Sequence, residues 1–88
     1  MDDLGQPASY LTLEAGAPVY SCDSEKVGKV KRVLYEPDAD IFEGLVLETS
    51  VLPGAESFVK AEQVEEIFEK GVLLKLDHEA VDSLPEPG

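Results

Sequence analysis

The 88-residue sequence holds one histidine, His78, and one cysteine, Cys22. His78 stands between Asp77 and Glu79. General acid–base work needs a nucleophile, a metal or a second positioned group within reach of the imidazole. No residue of suitable spacing supplies one, so His78 reads as a solvated side chain in a first helical turn. Cys22 lies beside Asp23 and Glu25, and neighbouring acids raise a thiol's pKa, which argues against a reactive thiolate. A single cysteine excludes an intramolecular disulfide, and one Cys with one His falls short of the roughly four ligands of a structural zinc site. Asp38 and Asp40, with Glu36 and Glu43, invite a calcium reading. Counting from Asp38, however, the sixth residue is Glu43 where an EF-hand loop needs glycine, and the twelfth is Thr49 where it needs glutamate. A turn stabilised by aspartate side chains accounts better for them, with loose, incidental cation binding as the alternative. Gly28-Lys29 lacks the preceding glycine and following Ser or Thr of a Walker motif. The expectation is a chain with no catalytic residue, cofactor or metal site.

Charge narrows the partners. Seven basic against nineteen acidic side chains give a formal charge of −12, which repels phosphate backbones and anionic membrane surfaces; it reads as a device for solubility, with attraction of a basic partner as the alternative. Lys26, Lys29, Lys31 and Arg32 do cluster, but Asp23, Glu25, Glu36, Asp38 and Asp40 flank and largely cancel them. Nucleic acid is therefore not the expected partner. No apolar run approaches the roughly 18–20 residues of a membrane-spanning helix. No basic region followed by an apolar one marks a secretory leader, so the expected location is the cytoplasm. A hydrophobic content of 43% is too high for a disordered acidic chain, and the length allows one small domain.

The elements follow from pattern and punctuation. Residues 1–9, with Asp2, Asp3, Gly5 and Pro7, read as a flexible tail; residues 10–84 form the domain and 85–88 a second tail. Tyr10, Leu11 and Leu13 lead in, and Val19 to Cys22 make a short strand. Val27 to Tyr35 has helical spacing at Val27, Val30, Val33 and Leu34. Its valines, Gly28 and short length favour a strand with a bulge near Lys31-Arg32. Ile41 to Thr49 is a strand whose centre, Leu45-Val46-Leu47, is apolar on both faces. Ser57 to Lys60 is another, and Ala61 to Val64 a single helical turn. Glu65 to Phe68 and Val72 to Leu76 flank a hairpin in which Gly71 supplies the positive φ. Asp77 caps a last short helix running to Leu84. Short strands at close spacing predict an all-β fold, a small closed barrel whose closure removes exposed sheet edges. Its expected core is Val19, Val27, Val30, Val33, Leu45, Leu47, Val59, Val64, Ile67, Val72, Leu74 and Leu76. Not every aromatic fits inside so small a barrel. Tyr35 and Phe42 beside Lys29, Lys31 and Arg32 therefore form the candidate docking surface.

Several runs resemble the PRC-barrel domain family: Gly16-x-Pro18-Val19-Tyr20-x-x-Asp23-x-x-x-Val27-Gly28-x-Val30, then Pro37-Asp38-x-Asp40-x-Phe42-x-Gly44-Leu45-Val46. Phe58-Val59-x-Ala61-x-Gln63-Val64, Gly71-Val72-x-Leu74 and Leu84-Pro85 continue the pattern in order over roughly residues 10 to 87. Family members usually carry glycine after the first-turn aspartate; Ser24 stands there, which implies a changed turn type. The resemblance implies a closed six-stranded barrel with a short helical segment and a C-terminal helix. Domains of this kind occur in the photosynthetic reaction centre H subunit, in a ribosome maturation factor and as free-standing adaptors. It implies a non-enzymatic module that binds protein, with a homodimer as one form that the small core favours. The alternative it offers is a factor associated with ribosome assembly. Turn glycines and core aliphatics transfer a fold and no catalytic residue.

Overall fold

The computed structural model describes residues 4–39, 41–49 and 55–85. Six strands form one sheet: β1 Pro18–Tyr20, β2 Lys26–Glu36, β3 Ile41–Thr49, β4 Glu56–Lys60, β5 Val64–Phe68 and β6 Gly71–Leu74, in spatial order β4-β3-β2-β1-β6-β5. Every pairing is antiparallel except β1 with β6. Single 3-10 turns occur at Tyr10–Thr12 and Ala61–Gln63, and one α-helix, α1, spans His78–Asp82. Its N-cap Asp77 accepts a hydrogen bond from the Ala80 amide at 2.8 Å, as the sequence predicts, but the helix stops before Leu84.

The ambiguous Val27–Tyr35 segment is a strand, because β-branched side chains fit a pleated surface that tertiary packing covers. Lys31 is extra in its ladder, since Val30 faces Leu47 and Arg32 faces Val46. That bulge accounts for the Val30–Val33 spacing, and Val27 is itself extra against β1, where Val19 faces Gly28 and Tyr20 faces Lys26. A second one in the β2–β3 ladder, not legible in the sequence, falls at Glu43, where Leu34 pairs with Gly44 and Tyr35 with Phe42. Gly44 has φ +151°, and a Cβ there would overlap the Val59 carbonyl oxygen of β4. Only glycine lets β3 and β4 approach so closely.

The two hairpin turns differ from expectation in opposite ways. Gly71 does not have a positive φ. Phe68 pairs directly with Gly71, and the glycine is needed because Leu4 and the Pro18 carbonyl would crowd a side chain. The β1–β2 turn keeps the left-handed conformation for which glycine is the usual residue, with Ser24 at φ 67°. A hydrogen bond from the Ser24 amide to the Ser21 carbonyl, and one from the Ser21 amide to the Glu25 carbonyl, close a three-residue hairpin loop.

The core is where the sequence pattern puts it, around Val19, Val30, Leu45, Leu47, Val59, Val72 and Leu74, all essentially inaccessible. Val33, Val64 and Leu76 are half-buried around it. Leu4, Val46 and Val81 are buried additions to the expected list.

Closure is the main structural correction. Among the described residues no ladder joins β4 to β5, so the ordered sheet has two ends. Both ends are covered by chain termini. Pro7 bridges Phe68, the Ala8 amide donates to the Ile67 carbonyl, and the Glu69 amide donates to the Gln6 carbonyl. On β4, the Phe58 amide donates to the Pro85 carbonyl. Residues 4–8 are thus docked where a flexible tail was expected. Burial of Leu4 and the unpaired edge of β5 supply the driving force that local composition does not reveal.

Candidate functional site

The β2–β3 hairpin projects an aromatic group at its turn end. Tyr35 and Phe42 are register partners. Tyr10, from the 3-10 turn, lies over both: its ring is 5.0 Å from Phe42, nearly parallel at 17°, and 5.7 Å from Tyr35, tilted by 49°. Such offset and tilted pairs are favourable beyond their buried area. The Ser9 hydroxyl accepts a hydrogen bond from the Leu11 amide and holds this turn. Phe42 packs on the core, but Tyr35 is 44% exposed; Ile41, the ladder partner of Glu36, and Leu11, in the 3-10 turn with Tyr10, are 57% and 59% exposed. These three are the exposed large hydrophobic residues among those described.

The candidate surface therefore divides. Lys29, Lys31 and Arg32 are exposed on β2, but Lys29 lies six residues, roughly 20 Å, from Tyr35 along the strand. Lys31 contacts Glu56 at 2.7 Å and Lys29 approaches Glu48 at 3.6 Å, across the outer face of β2, β3 and β4. The hydrogen bond with Glu56 raises the Lys31 pKa and lowers that of Glu56. The two lysines are already matched to cross-strand acids, whereas Tyr35 and Phe42 are brought together with Tyr10. Tyr10 is the residue that sequence reasoning left out, and its separation from the hairpin by more than twenty positions concealed it.

His78 finds partners that spacing did not show. Its Nδ1 is 2.6 Å from Asp23 Oδ2 and 3.5 Å from Glu25 Oε2, so α1 is tied to the β1–β2 turn across 55 residues. Asp23 also accepts from the buried Ser21 hydroxyl. That hydrogen bond and the one from His78 hold the Asp23 carboxyl below its ordinary range. The Asp23 hydrogen bond raises the His78 pKa, with the nearby Glu25 and Glu79 carboxylates adding to it. One ligand-type atom each from Asp23, Glu25 and His78 lies within 4.8 Å of the others. The imidazole answers the acids directly, and all three groups face solvent on the surface rather than in a cleft. Their geometry is that of an ion pair pinning a helix. Cys22 is exposed in the same turn, and its amide donates to the Leu76 carbonyl. The Asp38 amide donates to Glu36 Oε1 at 3.4 Å, so the side chain that bonds this turn is a glutamate's where an aspartate's was expected; Asp40 lies outside the described residues. Among the described residues no buried side-chain polar atom lacks a hydrogen-bond partner.

No helix among the described residues is long and apolar enough to cross a membrane. No curated protein matches the chain. The PRC-barrel domain family profile matches residues 11–82, which takes in all six strands and the helix. With that match over most of its length, the chain belongs to the PRC-barrel domain family.

Proposed function

We propose that this protein is a non-enzymatic interaction module that binds a protein partner through the turn end of the β2–β3 hairpin, in the cytoplasm. The family assignment supports a small interaction module. The observation that carries the surface is apolar exposure at the turn end of the hairpin: Tyr35 beside the packed Tyr10 and Phe42, Leu11 next to Tyr10 in the chain, and Ile41 on the other face of the ladder. Apolar exposure of this kind marks interaction sites, and a tyrosine held by its neighbours has little rotamer entropy to lose on binding.

The test is affinity capture from cell lysate with the wild-type chain and with Tyr35→Ser/Ile41→Ser. Both side chains are exposed, so the variant is expected to melt within a few degrees of wild type. A defined set of proteins retained by the wild type and lost from the variant is the expected result. Identical recoveries from the two would refute the surface, and ribosomal proteins dominating the wild-type capture would move the reading to ribosome assembly.

A further inference from the structure

Beside the aromatic base lies an open groove of about 260 Å³. Tyr10, Phe42, Ala61 and Val64 line its apolar part, and Glu65 and Glu66 of β5 line its polar part. Glu65 and Glu66 are exposed, and no lysine or arginine lines the groove. Further acids stand at the same end of the molecule: Glu36 and Asp38 flank the hairpin turn, and Glu43 is the bulged residue next to Phe42. The ion pairs among the described residues join Lys29 to Glu48, Lys31 to Glu56, and His78 to Asp23 and Glu25. The carboxylates around the groove belong to none of them. The groove is continuous with the exposed Tyr35 through the shared Tyr10 and Phe42. An apolar floor with a rim of one charge sign is complementary to a particular chemistry.

We infer that this groove and the adjoining Tyr35 receive a segment of a partner protein that has an apolar anchor flanked by lysine or arginine. The inference rests on the interaction-module reading above and adds the partner's chemistry. The anchor covers Tyr10, Phe42 and Val64, and its basic flanks meet Glu65 and Glu66. A second copy of this chain is a poor occupant, because each copy brings a charge of −12 and the same acidic rim to the contact. Cationic flanks steer encounter and raise the association rate, while the anchor sets the lifetime of the complex.

The probe is a library of random twelve-residue peptides displayed on phage. It is selected on the wild-type chain and in parallel on Tyr35→Ser and on Glu65→Lys/Glu66→Lys. Enrichment of peptides with Leu, Ile, Met or Phe between Lys or Arg residues is expected on the wild type. Synthetic copies should bind at least tenfold more weakly to each variant and at least tenfold more weakly at 0.5 M than at 0.05 M salt. Circular dichroism of the variants confirms that they remain folded. Enrichment of neutral apolar peptides, lost on Tyr35→Ser but kept on Glu65→Lys/Glu66→Lys, would overturn the basic-partner inference and leave the docking surface standing. No enrichment, or the same peptides on all three proteins, would overturn both. Sedimentation showing a dimer that Tyr35→Ser dissolves would assign the surface to a second copy and likewise overturn the inference.

Discussion

Ser24 holds φ 67°, the one positive value outside glycine among the described residues. An L-residue in that region pays roughly 1 kcal/mol relative to glycine, because its Cβ crowds the following carbonyl. The hairpin loop closed by Ser21 and Glu25 dictates the conformation, so the residue type yields to it. Ser24→Gly is expected to raise the melting temperature by a few degrees, the gain reduced by the greater freedom of glycine in the unfolded chain. Ser24→Val is expected to lower it, since a β-branched side chain fits left-handed backbone poorly. Thermal denaturation of both variants checks the pair. In the same turn, the Asp23–His78 contact makes stability depend on pH. The His78 pKa is raised on folding, so its contribution is complete below its unfolded value, about 6.5, and fades as pH rises through the folded value. The Asp23 pKa is lowered, so its contribution is present above about 3.9 and fades as pH falls through its folded value. The gap in melting temperature between wild type and His78→Gln should therefore be widest near pH 5 to 6 and narrower at pH 9. A gap independent of pH would show that the two groups do not interact as charges.

The terminal segments are where single elements matter most. The hydrogen-bonded edges of β4 and β5 would template pairing with another chain if left bare. Pro85 and residues 6–8 occupy them, and Leu4 anchors the N-terminal cover by burying its side chain against Gly71. Leu4→Ala is expected to destabilise the fold by about 2–3 kcal/mol, the cost of truncating a buried leucine. A chain begun at residue 9 should lose at least as much and also associate through its bare β5 edge. Urea denaturation and light scattering measure the two effects. A Leu4→Ala value near zero would mean that the segment is a tail after all. The β2–β3 hairpin shows the converse dependence on an element: its bulges at Lys31 and Glu43 offset the ladder so that Tyr35 and Phe42 are register partners, while Lys29 and Lys31 meet Glu48 and Glu56 further along it.

For the whole molecule the dominant quantity is a formal charge of −12 on 88 residues. Self-repulsion of that size works against the compact state and is screened with a Debye length of about 10 Å at 0.1 M salt. The melting temperature is therefore expected to rise between 0.01 and 0.5 M sodium chloride. Over the same interval, binding of a cationic partner segment should weaken. Stability and affinity thus move in opposite directions with salt. The acids are tolerated because few face inward: the buried interior is almost wholly aliphatic, and the buried polar side chains among the described residues are Ser21 and Ser57.

How much of this was legible beforehand follows from the range of the interactions involved. Side-chain alternation, turn prolines and glycines, and the Asp77 cap act within a few residues. The six strands, the Lys31 bulge and most of the core could therefore be read in one dimension. The family pattern of turn residues added that they form one six-stranded unit, while their order in the sheet, with its parallel β1–β6 pair, came from the structure. The open ladder, the docked N-terminal segment, the His78–Asp23 pair and the aromatic base under Tyr35 all join positions far apart in the chain. Nothing in local pattern ranks one such partner over another. The tertiary structure chose them because each satisfies a surface that folding alone creates: an unpaired strand edge, a charged turn beside a helix start, an aromatic face at the end of a hairpin.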